Sequence, residues 1–214
     1  MTFNFSIRTA LKQSWQSFRQ HPLFFAGMAF VMIIFNFFLN YHRHNYVLVA
    51  LVVIASIVWS YVWISTSLAA IDGKDAILNY KALSIHLPTV RQFFMLVIIG
   101  VIVGLITAAG FILLIIPGIY FMTRLAFANI SYVDRQGSVK ASLNHSWHLV
   151  KGRVFWTVLL VVIVEIALIV IGTLLFGVGL LITYPIAMLL IAHLYRSLDI
   201  YHRTVVKEVH EVVA

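Results

Sequence analysis

Long apolar runs alternate along this chain with polar stretches of two very different lengths. Runs at 23–39, 46–71, 93–116, 154–176 and 178–198 approach or exceed the roughly 20 residues that a membrane-spanning helix requires. A shorter run, 119–133, follows the sequence IPGIY. There Pro117 and Gly118 break the preceding helix and turn the chain back, which makes this run the return arm of a hairpin. The pattern predicts an all-α, polytopic membrane helix bundle of about six transmembrane helices arranged as three hairpins. Nothing after the first run resembles a cleavage site for a secretory signal, because NYHRHN follows it directly, so that run is expected to stay as a helix.

Two polar stretches carry a helical period of their own. In 6–20 the apolar positions Ile7, Leu11, Trp15 and Phe18 fall on one face, and in 138–153 so do Val139, Leu143, Trp147 and Val150. Sliding the chain by 132 residues superposes Ser6, Leu11, Ser14 and Trp15 on Ser138, Leu143, Ser146 and Trp147. It also lays Arg8 over Lys140 and Arg19 over Lys151. Each stretch precedes a span, and each reads as an amphipathic helix in the membrane interface, before spans one and five, with Trp at headgroup level and cations toward lipid. An internal repeat accounts for the match, and so does coincidence between two amphipathic helices of biased composition. The middle loop, 72–92, occupies the equivalent place but lacks the Trp and contains Pro88.

Composition agrees with a membrane setting. The chain is 62% hydrophobic and 10% charged, where a soluble domain carries about 25% charged residues. It has no Cys, which rules out disulfides, thiolate metal sites and a cysteine nucleophile. The net charge of +8 is explained by anionic lipid headgroups and does not require nucleic acid. Of the 15 Lys and Arg residues, all but Arg43 and Arg124 lie in the N-terminal segment, the two long loops or the end of the chain. By the positive-inside rule, both termini and both long loops are cytoplasmic. A single integral membrane domain, 1–214, then divides into an N-terminal amphipathic helix at 1–21, a bundle at 22–198 and a cytoplasmic tail at 199–214.

The segments LLIIPGIYFMTRLAFANISYVD, SVKASLNHSWHLVKGR and GLLITYPIAMLLIAHLYRSL follow one another in the order and character of the bacterial YciC-like membrane proteins. That family is related to the membrane domain found beside glycerophosphodiester phosphodiesterase. The resemblance covers essentially the whole chain. Its pieces are Pro117 to Tyr120, Arg124, Ser146 with Trp147, Lys151 to Arg153, and Pro185 with Tyr195 and Arg196. It implies a multi-helix protein of the bacterial inner membrane. The phosphodiesterase catalytic domain has no counterpart here, so its activity does not carry over.

Candidate chemistry is sparse. The sequence holds no HExxH, GxSxG, Walker or GxGxxG pattern, and no cofactor is expected. Six of the seven acidic residues, Asp72, Asp75, Asp134, Asp199, Glu208 and Glu211, fall at interfaces. His145 and His148 have a spacing that could hold a metal, but no acid on the same helix completes a site, so none is expected. The two strong charges within spans are Arg124 and Glu165. Counted from Pro117, Arg124 lies about 10 Å deep; counted from Arg153, Glu165 lies about 18 Å deep. In a core of about 30 Å these depths are similar, and an intramembrane ion pair is expected. The lipid-interface set is Arg8, Lys12, Trp15, Arg19, Lys140, Trp147, Lys151 and Arg153. Helix packing is assigned to Gly100, Gly104 and Ala108, which repeat every four residues, and to Pro117 and Gly118. Bundle packing and a seam between two copies both fit that stripe.

Three classes of function follow. The first is a component without catalytic activity that engages anionic lipid or a protein partner, whether a second copy of the chain or another membrane protein. The alternative is a small transporter or channel with a polar site around Arg124 and Glu165. An intramembrane enzyme comes last, because one Glu and scattered His offer few groups for acid–base chemistry.

Overall fold

The computed structural model describes residues 5–42, 44–74, 86–175 and 177–213, with 206–213 described by backbone alone. Arg43, Asp75, Lys81 and most of the middle loop lie outside the described residues, as do the side chains of Lys207, Glu208 and Glu211. The described regular elements are helices: α1 (Ile7–Gln20), α2 (Pro22–Tyr41), α3 (Tyr46–Ile71), α4 (Val90–Leu113), α5 (Ile115–Arg124), α6 (Ala128–Arg135), α7 (Val139–Leu149), α8 (Val154–Leu174) and α9 (Leu180–Val213).

Local chemistry sets several starts. Ser6 Oγ accepts the Thr9 N–H at the head of α1, and Ser138 Oγ accepts the Ala141 N–H at the head of α7. Asn45 caps α3 through the Leu48 N–H, and Thr89 with Gln92 forms a reciprocal capping box on α4. The structure carries the 132-residue offset beyond the caps: α1 and α7 begin at Ile7 and Val139, and α2 and α8 begin at Pro22 and Val154.

Five helices, α2, α3, α4, α8 and α9, are long and apolar enough to cross a membrane. The sixth expected span is broken. Its residues form α5, ten residues long, and α6, eight residues long, with a turn over 125–127 between them. The chain reverses at Leu114 (φ −168°, ψ 158°), three residues before Pro117. This position has a reason: it puts Pro117 in the first turn of α5, where a missing N–H costs no helical hydrogen bond. Within a continuous helix the same ring would clash with the carbonyl four residues back.

Helix α9 is the hub, packed against α1, α2, α3, α7 and α8. Its Leu190, Leu194 and Leu198 are fully buried in one core with Val158, Val161, Phe127 and Leu149. A second core joins Phe25 and Met28 of α2 to Trp63 of α3 and Leu189, and a third joins Tyr61, Ile99, Ala128 and Tyr132. Helix α9 continues as one helix past residue 199 to Val213, so the segment expected as a separate tail extends the last span.

The close approach of α4 to α5 uses glycines other than the predicted stripe. A Cβ on Gly110 would stand 2.9 Å from the Cα of Gly118, so these two residues bring the helices together. Gly100, Gly104 and Ala108 are exposed, and nothing lies within 4 Å of a Cβ on either glycine. Bundle packing by that stripe is therefore corrected, whereas Gly118 packs as expected.

Candidate functional site at the charged end of the bundle

The described aspartates converge at one end of the bundle, where α3, α6, α7 and α9 meet. Arg196 reaches Asp72 with two parallel bonds, Nε to Oδ1 at 2.9 Å and Nη2 to Oδ2 at 2.7 Å. Its Nη1 lies 2.8 Å from Asp134 Oδ1, and the Tyr195 hydroxyl donates to Asp134 Oδ2 at 2.9 Å. One guanidinium thus ties α9 to α3 and α6. A second knot forms on Asp199, which is buried and pairs with Arg135 and with Arg203 at 2.8 Å, while His145 Nε2 stands 3.2 Å away. Burial and the neighbouring Arg135 hold the His145 pKa below its usual 6.5, so at neutral pH the cations on Asp199 are the two arginines.

This network was not legible as such in the sequence, which placed each Asp singly at an interface. A trace was present: Arg196, Asp199 and Arg203 recur at helical spacing on one face. Beside the network lies a cavity of about 250 Å³ lined by Ser65, Asp72, Lys74, His86, Asp134 and Arg196 among others. In it Ser65 Oγ stands 2.6 Å from His86 Nδ1.

A second polar corner surrounds the break between α5 and α6. The break leaves backbone groups without helical partners, and Ser146 of α7 serves two of them: its hydroxyl donates to the Arg124 carbonyl at 2.9 Å and accepts the Phe127 N–H at 3.2 Å. Ser146 is fully buried. Its counterpart at the same offset, Ser14, is also fully buried and donates to Ala10 O of its own helix.

Arg124 points into this corner. Nη1 donates to the Val150 carbonyl at the end of α7, and the guanidinium lies 4.2 Å from the Trp147 ring centre and 5.5 Å from that of Tyr120. The expected pair with Glu165 is absent: among the described residues neither side chain makes an ion pair. The reason is geometric. Helix α7 rises to meet the end of α5, so Arg124 sits at the α7–α8 corner, while Glu165 lies eleven residues, about 17 Å, along α8 from its first residue. The sequence count assumed one straight return helix, which the structure does not contain.

The six cations of the lipid-interface set, Arg8, Lys12, Arg19, Lys140, Lys151 and Arg153, are exposed. Trp15 is exposed as well, stacked on Phe18 with Arg19 6.0 Å above its ring. Trp147 departs from that pattern: it is half-buried beneath Arg124 and packs on Phe121. His148 is exposed, and among the described residues no group of three His, Cys, Asp or Glu side chains could hold a metal ion.

The fold and these two corners define a multi-pass helical membrane protein with a charged clamp at one end. No family model, no curated protein and no solved structure matches the chain.

Proposed function

We propose that this protein is a component of the bacterial inner membrane that engages anionic lipid at the cytoplasmic surface, and that it is not a catalyst. The observation that carries this reading is the outward display of Arg8, Lys12 and Arg19 on α1, of Lys140 on α7 and of Lys151 and Arg153 just after it. Both helices lead directly into spans, and each cation near an anionic surface contributes about 1 kcal/mol. We read α1–α2 and α7–α8 as copies of one unit, on the strength of their common caps and common offset. The resemblance of its sequence to YciC-like proteins favours the same placement. A transport site built jointly from Arg124 and Glu165 loses its basis, since the two residues do not meet.

The orientation has a direct test. Because the chain has no Cys, single cysteines at the exposed positions His44 and Gly137 report cleanly on sidedness. In intact cells His44→Cys reacts with an impermeant maleimide and Gly137→Cys does not. The reverse labelling would invert the topology.

Lipid engagement is tested by extracting the protein with its surrounding membrane in polymer discs and measuring the lipids. Anionic species are expected at a higher fraction than in the bulk membrane. Combining Arg8→Glu, Lys12→Glu and Lys140→Glu should bring that fraction back to the bulk value. An unchanged lipid ratio in this variant would remove the electrostatic basis of the proposal.

A further inference from the structure

Arg124 is 8% exposed, and among the described residues it meets one carbonyl and two aromatic rings but no carboxylate. Its Nε has no hydrogen-bond partner among the described residues. A buried guanidinium without a counter-charge is costly, and the usual resolution is an anion held close by. Space for one exists. A cavity of about 330 Å³ is lined by Arg124, Lys151, Gly152, Val150, Tyr120 and Phe155. Gly152, at φ +60°, turns the chain from α7 into α8, and nothing lies within 4 Å of where its Cβ would stand.

We propose that Arg124 and Lys151 together bind a phosphate group in this cavity. A planar guanidinium fork and a mobile ammonium are the pair of donors that a tetrahedral oxyanion accepts well. The position favours the phosphate of an anionic phospholipid. The cavity adjoins the first turn of α8, where Trp156 is 65% exposed, and α5 beside it exposes Ile115, Ile116 and Tyr120, so a lipid's chains would find apolar surface next to its headgroup. This inference rests on the reading of the protein as lipid-engaging and narrows it to one site.

The test uses the full chain in zwitterionic phosphatidylcholine nanodiscs doped with phosphatidylglycerol, with native mass spectrometry counting the lipid retained after the disc is stripped. One phosphatidylglycerol is expected to remain. Lys151→Ala, at an exposed position that folding tolerates, should weaken its retention about fivefold, and Arg124→Gln about tenfold. A parallel titration with inorganic phosphate, read by thermal stability, identifies the source. Stabilisation by phosphate that Lys151→Ala abolishes, without a retained lipid, assigns the site to a soluble phosphate. If neither anion's binding responds to Lys151→Ala or to Arg124→Gln, the proposal is overturned. Lys12→Glu, on α1, should lower general anionic enrichment yet leave the retained lipid in place. Loss of enrichment control at α1 therefore defeats the broader reading separately from this one.

Discussion

Replacing Arg196 by Leu is expected to lower stability by about 3 kcal/mol, since it leaves two partly buried carboxylates facing each other without their shared cation. Asp134 is 12% exposed and Asp72 is 27% exposed, so water relieves only part of the cost. Lys74, at 3.9 Å from Asp72 and largely exposed, is a weak substitute. Arg196→Lys should recover little, because an ammonium cannot supply the parallel bonds to Asp72 and the third bond to Asp134 at once. Adding Asp72→Asn and Asp134→Asn to Arg196→Leu should restore more than half of the loss. Arg203→Leu is the control: its side chain is 65% exposed and the change should stay within about 0.5 kcal/mol. Reversible unfolding in mixed micelles measures all four. A triple variant as unstable as the sum of its parts would show that the clamp does not act through charge pairing.

Gly110→Leu is expected to be the most damaging change on α4, with a loss of about 3 kcal/mol. A Cβ there would stand 2.9 Å from the Gly118 Cα and 3.0 Å from its N, both backbone atoms that can yield only if α5 moves as a whole. Gly118→Ala should be milder, because the atoms it meets belong to the Phe111 ring, which is 44% exposed and can swing outward. Gly100→Leu and Gly104→Leu meet nothing within 4 Å and replace Gly inside a helix, so each is expected to be neutral or to gain up to about 1 kcal/mol. The ranking is read from thermal unfolding of the four variants in one detergent. Should Gly104→Leu prove as harmful as Gly110→Leu, the outward stripe on α4 is covered by a second molecule in the native state.

The contrast between these two sets of glycines shows why the spans were legible and their faces were not. Length and hydropathy identify a helix that crosses lipid, and α2, α3, α8 and α9 begin within a few residues of the positions the apolar runs give. A four-residue spacing of small side chains says only that they share a face. In a helix apolar all round, the sequence does not mark which face meets protein and which meets lipid, and on α4 the packed face is set by α5 folding back at Leu114.

The site follows the same division. The exposed cations of α1 and of the α7–α8 segment were readable because helical periodicity is local, and Ser6 and Ser138 were visible as matching positions, whose capping role the structure adds. Arg124 and Glu165 were identifiable as charges inside apolar runs, but their pairing depended on depth. Depth was counted along an unbroken helix, whereas the Ser146 hydroxyl bridges the Arg124 carbonyl and the Phe127 N–H across a break that the hydropathy pattern does not report.

By itself, then, the sequence determined that this chain is a bundle of helices long and apolar enough to cross a membrane, because this property depends on short-range composition and on the high cost of exposing polar backbone to lipid. Only the tertiary structure decided that Asp72, Asp134 and Asp199 form a clamp with Arg196, Arg135 and Arg203, and that Arg124 lines a cavity with Lys151 and, among the described residues, makes no ion pair with Glu165. The physical reason is that ion pairing acts over a few ångströms. Asp72 and Arg196 are 124 residues apart in the chain, and they come within reach only after α3 and α9 have packed.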